Sequence, residues 1–143
     1  MGLGTMLSPL PQVPSTKRWP YLPAQGLALA SAVMVFLGTA LPWARVLGDS
    51  LWGSAGALTW TLSGGCLVLA SAIVRRRGLA AGSALAGGAI AVYFGVWQTA
   101  RIFERCGLTL DCLPGPGLGF VLAGGLGAGY VGARLLLAYA SRA

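Results

Sequence analysis

The sequence predicts an all-α polytopic membrane protein, a bundle of four transmembrane helices with both chain ends on the cytoplasmic side. Three observations lead there. First, 56% of the 143 residues are hydrophobic and 9% are charged, against roughly 25% charged in an ordinary soluble domain. A soluble fold of this length has nowhere to hide so much apolar surface. Second, the apolar residues gather in four runs, each close to the roughly 20 residues that cross a hydrocarbon core. Third, the basic residues flank those runs rather than interrupt them, the arrangement that orients membrane helices.

Residues 1–24 hold Pro9, Pro11, Pro14, Pro20 and Pro23, a spacing that rules out one continuous helix and reads as a tail. The stretch lacks the charged start, compact apolar run and small-residue cleavage site of a removable signal peptide, so span one is expected to serve as the insertion signal. That span covers about residues 25–43, with QGLALASAVMVFLGTAL closed by Pro42 and Trp43. Span two covers about residues 55–74 and stops at the run Arg75 to Arg77. Span three, about residues 79–100, would be about 33 Å long at 1.5 Å per residue, enough to cross with some tilt. Span four covers about residues 118–139. Four buried helices of a soluble bundle would each need a polar face, and spans one, three and four carry almost no charge at helical spacing.

Four crossings place Lys17, Arg18, Arg75 to Arg77 and Arg142 on one side, which the positive-inside rule makes cytoplasmic. The other side receives Arg45, Arg101 and Arg105 with all three acids, Asp49, Glu104 and Asp111, and sums to zero. The net charge of +7 therefore orients the chain, and nucleic acid is not expected as a partner. The lipid bilayer is the expected partner surface, in the cytoplasmic membrane of a bacterium. Histidine is absent, which argues against haem subunits and His-dependent enzymes, and no cofactor or metal is expected. No span contains Asp, Glu, His or Lys, the groups that ion-coupled carriers and many intramembrane catalysts require. Arg134 is the one charge well inside a span, near enough to its end to reach the interface. The stretch GPGLGF at Gly115 to Phe120 follows no strand and is not a dinucleotide site.

Cys106 and Cys112 lie in the second outer loop, RIFERCGLTLDCLPGPG, where a structural disulfide is the natural reading; free thiols and redox catalysis are the alternatives. Quinone-linked membrane thiol oxidoreductases also have four spans but carry C-x-x-C pairs, whereas this chain has one C-x5-C and a solitary Cys66 in span two. Two cysteines alone cannot fill a tetrahedral zinc site. Ser83, Gly87, Ala91 and Gly95 recur every fourth residue along span three, while span four holds the rows Gly124, Ala128, Gly132 and Gly125, Gly129, Ala133. Small residues let helix backbones approach where lipid supplies no hydrophobic drive, so both sets are expected to be helix-packing surfaces. Trp19, Tyr21, Trp43, Trp52 and Trp97 fall near span ends and suit the headgroup zone. FLGTALPWAR and YFGVWQTAR hint at duplication of a two-span unit.

Pro42 and Trp43 at the end of span one, Gly48 and Asp49 in the first outer loop, the arginine run after span two and the Gly-rich fourth span resemble the layout of small four-span proteins of high-GC bacteria. The resemblance covers residues 25–143, is one of architecture, and transfers no functional residue. The expected function is a non-catalytic membrane subunit or assembly partner, working with another membrane protein or with copies of itself. Arg101, Glu104, Arg105 and Asp111 are the candidate contacts. A small oligomeric transporter or pore and a thiol-disulfide oxidoreductase are the rival readings.

Overall fold

The computed structural model describes residues 22–46, 49–51, 53–106 and 112–141. Four helices, α1 (Leu22–Ala40), α2 (Ala55–Ile73), α3 (Arg77–Cys106) and α4 (Pro116–Ala140), are joined by three short strands, β1 (Ala44–Val46), β2 (Asp49–Leu51) and β3 (Cys112–Pro114). All four helices are long and apolar enough to cross a membrane. Each helix packs on its neighbours in sequence, and α4 closes the ring against α1. One end of the bundle carries the strands. The other carries the α2–α3 turn with Arg75 and Arg76, the start of α1 and the end of α4.

Helix boundaries follow local chemistry. α1 is helical from Leu22, the first described residue, three residues before the expected start; Pro23 suits a first turn, where its missing N–H has no intrahelical partner anyway. Ser54 caps α2 by accepting a hydrogen bond from the Ala57 N–H at 3.3 Å, satisfying one orphan donor. α4 opens with Pro116 in its first turn after an extended Gly115. α3 departs most from expectation: it has 30 residues, about 45 Å at 1.5 Å per residue, and continues six residues past Ala100. Arg101, Glu104 and Arg105, expected in a loop, therefore sit on its last turns. Ile102, 9% exposed, anchors that extension in a cluster with Trp43, Ala44, Ala57 and Leu118.

The packing is the inverse of a water-soluble bundle. Small residues fill the interior, among them Ala28, Ala32, Ala81, Ala84, Ala91 and Ala128, while Leu29, Trp60, Ile73, Tyr93, Leu126 and Leu137 face outward. A core so poor in large side chains buries little apolar area per residue, and an apolar exterior is compatible with lipid rather than water. Thr61 and Ser71 are buried, and each donates its hydroxyl to its own helix, to Ala57 O at 2.7 Å and Val68 O at 2.6 Å.

The small-residue rows serve more than one interface. A Cβ on Gly87 would lie 2.5 Å from Gly64 O on α2, whereas one on Gly95 would lie 2.7 Å from the Leu122 side chain on α4. Ala91, between them, is buried beside Gly125, and Ser83 is half-buried with its hydroxyl on Ala80 O at 3.1 Å. Steps of four residues advance about 40° around a 3.6-residue helix, so the row winds from α2 to α4 instead of forming one ridge. Gly88, outside the expected row, makes the close approach to α4, with Gly125 O 2.7 Å from where its Cβ would be. On α4, Gly124 faces Ser31 and Val35 of α1, Gly132 faces Leu85 and Ala81 of α3, and Ala128 is buried with Ala32 and Val68. Gly129 corrects the expectation in part: a Cβ there would meet open space, though its backbone N lies against Gly88. Ala133, also assigned to a packing row, is exposed.

No strand was expected, yet β1 pairs antiparallel with β2 and with β3, in the order β2-β1-β3. Ala44 faces Leu51 on one side and Pro114 on the other. The sheet joins the α1–α2 connection to the segment that enters α4.

Candidate functional site: a sheet platform on the bundle end

The platform is built around Trp43. Sequence reasoning placed this residue at the headgroup zone, but it is 1% exposed. Its indole Nε1–H donates to Gly38 O at 2.8 Å, turning the ring back over the last turn of α1. Its backbone N–H donates to Leu51 O at 2.9 Å, and its own carbonyl accepts from Gly115 N–H at 2.7 Å. One residue thus ties α1, β2 and the start of α4 together. Absent side chains make room for it: a Cβ on Gly53 would lie 2.7 Å from the indole, one on Gly117 would lie 2.7 Å from both the indole and Gly38 O, and one on Gly115 would overlap Pro42 O.

The α3 extension beside this sheet carries the expected contact residues. Arg101, Glu104 and Arg105 are all exposed, and their i, i+3, i+4 spacing puts them on one face, away from buried Ile102. Among the described residues no ion pair holds any of them. The Arg101 guanidinium lies 4.8 Å from the Trp97 ring centre, at the top of an aromatic stair in which Phe94 meets Trp97 edge-on at 6.3 Å and stacks with Trp60 at 6.0 Å. A cation over an indole is held by the ring quadrupole, so Arg101 is pre-positioned. Arg45 on β1 is exposed too. Asp111 lies outside the described residues, as do Trp19, Tyr21, Trp52 and the tail to residue 21. Cys106 closes α3 and Cys112 opens β3 opposite Val46, but their side chains also lie outside the described part. Cys66 is a free, exposed thiol on α2. The two segments that hinted at duplication differ in structure: Arg45 is on a strand, Arg101 on a helix.

At the opposite end the described residues leave space between the helices. A cavity of about 170 Å³ is lined by all four helices and the α2–α3 turn, with Gln25, Ser71, Arg75 and Arg77 as its polar members. It shares Ala24, Val131 and Leu135 with a lateral groove of about 600 Å³ between α1 and α4 that contains Arg134. Toward the sheet end the axis is filled by Ala32, Val68 and Ala128, then by Val35, Val121 and Trp43.

The fold and these two ends define a four-helix bundle suited to a membrane and capped by a small sheet. No family model, curated protein or solved structure matches this chain.

Sequence reasoning missed Trp43 as a structural residue, together with Gly38, Gly53, Gly115 and Gly117 around it. The available signal was the clustering of three of them: Gly38, Gly115 and Gly117 fall within a few residues of Pro42, Trp43 or Pro116 and mark places where backbones approach closely.

Proposed function

We propose that this chain is a non-catalytic integral membrane subunit or assembly partner, inserted four times in the cytoplasmic membrane of a bacterium with the arginine end inside. In this reading the sheet end faces outward and presents Arg101, Glu104 and Arg105, with Arg45 and Asp111, to another membrane protein or to a second copy. The observation that carries the reading is the rigid mounting of exposed charges. The α3 extension lifts them beyond the apolar bundle, Ile102 pins it, and Trp43 fuses the sheet to two helices. Exposed charges on a fixed frame favour recognition, because little side-chain and loop ordering remains to oppose binding.

Transport is less well supported, since the cavity at the arginine end stops at the packed Ala32, Val68 and Ala128 layer. Mild-detergent purification from native membranes, with cross-linking before extraction, tests the proposal. A defined partner or oligomer is expected, and Arg101→Ala with Arg105→Ala should lower its recovery about tenfold, the effect of losing one or two charged contacts. Recovery of the lone chain under cross-linking would overturn it.

A further inference from the structure

We propose that the groove between α1 and α4 is a binding site for one anionic phospholipid, with the phosphate on Arg134 and the acyl chains along Leu27 and Tyr130. This rests on the membrane reading above. The groove is about 600 Å³, and its wall is apolar apart from Arg134 and the rim. Pro23, in the first turn of α1, lines it together with Arg134. α1 has 19 residues, about 28 Å at 1.5 Å per residue, close to the roughly 30 Å of a hydrocarbon core. On the membrane reading, Pro23 therefore lies near the edge of the hydrocarbon core, next to the layer of lipid phosphates, and Arg134 lines the groove beside it.

The orientation of Arg134 adds to this. Its guanidinium lies 5.8 Å from the Tyr130 ring centre, one turn back along α4, so the side chain points along the groove rather than outward past the nearby helix end. The ring holds the cation by its face and leaves the planar fork of N–H donors free for a phosphate, which it matches. Among the described residues no side-chain carboxylate lines the groove. The chain's acids are Asp49 on β2, Glu104 on the last turns of α3, and Asp111, which falls in sequence between α3 and β3. Arg75 and Arg77 line the adjoining cavity across the shared wall of Ala24, Val131 and Leu135, adding positive potential without occupying the groove.

The test is native mass spectrometry of the full chain in mild detergent, titrated with dioleoyl phosphatidylglycerol or dioleoyl phosphatidylcholine. One phosphatidylglycerol is expected to be retained about tenfold more tightly than phosphatidylcholine, and Arg134→Gln should reduce that preference to about twofold or less, as expected for loss of a charge-assisted contact. Arg75→Gln with Arg76→Gln and Arg77→Gln should leave most of the preference. Ala138→Phe, which fills the groove, should lower retention of both lipids. Equal retention of the two lipids by the unaltered chain overturns the proposal whether or not any variant folds. So does an unchanged preference in Arg134→Gln, equal competition by soluble glycerol phosphate, or a second copy that covers the groove and excludes lipid. If the chain instead remains folded and dispersed without detergent, the membrane reading itself has failed, an outcome distinct from a detergent-dependent chain that lacks lipid preference.

Discussion

Gly117→Ala should destabilise the bundle, while Gly119→Ala, two residues later on the same helix, should not. The added methyl at position 117 would lie 2.6 Å from Leu41 O, 2.7 Å from Gly38 O and 2.7 Å from the Trp43 indole. Two of those atoms are backbone oxygens at the end of α1 and cannot rotate away, so the start of α4 must move off. Overpacking of this kind costs about 1–3 kcal/mol. Gly38 O also accepts the indole hydrogen bond, and weakening that bond adds about 1 kcal/mol. The gain in helix propensity on replacing Gly offsets at most about 1 kcal/mol, leaving a net loss of about 1–3 kcal/mol. At Gly119 a Cβ meets nothing within 4 Å, so only the propensity gain applies and stability should hold or rise by up to about 1 kcal/mol. Unfolding in mixed micelles, titrated with a denaturing detergent and followed by far-ultraviolet circular dichroism, measures both variants against the parent. Equal midpoints for the two would refute the close approach of α4 to Trp43.

Trp43→Phe keeps an aromatic ring but leaves Gly38 O without its donor, and should cost about 1–3 kcal/mol in the same titration. A shift below about 0.5 kcal/mol would show that the indole bond adds nothing beyond a surface substitution. Gly87→Leu should separate α2 from α3, because its Cβ would meet Gly64 O, Val68 and Leu67, whereas Gly129→Ala should be neutral; a Gly87→Leu protein as stable as the parent would remove Gly87 from the interface. If Cys106 and Cys112 form the expected disulfide, closing so small a loop contributes roughly 2–2.5 kcal/mol in the entropy model, and alkylation under denaturing, non-reducing conditions should modify Cys66 alone. Mass addition at all three cysteines before reduction would exclude it.

The four helices were legible because length and apolarity sufficient to cross a bilayer belong to one contiguous stretch each, a local property that survives in the bare sequence. The sheet was not. Its strands have three residues each, too few for an alternating pattern to register, and β1 pairs with a β3 that lies about half the chain away, Ala44 opposite Pro114. Trp43 was misread for a related reason: Pro-Trp at the end of an apolar run is what an interfacial anchor looks like, and only the return of Gly115 and Gly117 to its side distinguishes a buried indole. The extension of α3 was partly legible. Arg101, Glu104 and Arg105 share one helical face and Ile102 falls off it, a period that polar composition alone conceals. The small-residue row of α3 does not stay on one ridge: Gly87 lies against Gly64 of α2 and Gly95 against Leu122 of α4, because an i, i+4 row drifts around the helix.

A core of Gly and Ala raises the question of what keeps four such helices together, since in lipid the apolar burial that stabilises soluble bundles gives little net drive. Close approach supplies dispersion all along the bundle, but each contact is worth only about 0.1–0.2 kcal/mol, and glycine offers few atoms. At the sheet end a different device takes over. Trp43 N–H to Leu51 O, Gly115 N–H to Trp43 O and Gly117 N–H to Pro42 O link the end of α1, β2 and the start of α4 through the backbone, and the interior there changes from Gly and Ala to Trp43, Leu118, Val121 and Val35. At the arginine end α2 and α3 are joined by residues 74–76, and the helices part around a cavity. Stability is therefore concentrated at one end. The platform is a surface with little left to order, while at the other end the described residues leave space between α1 and α4.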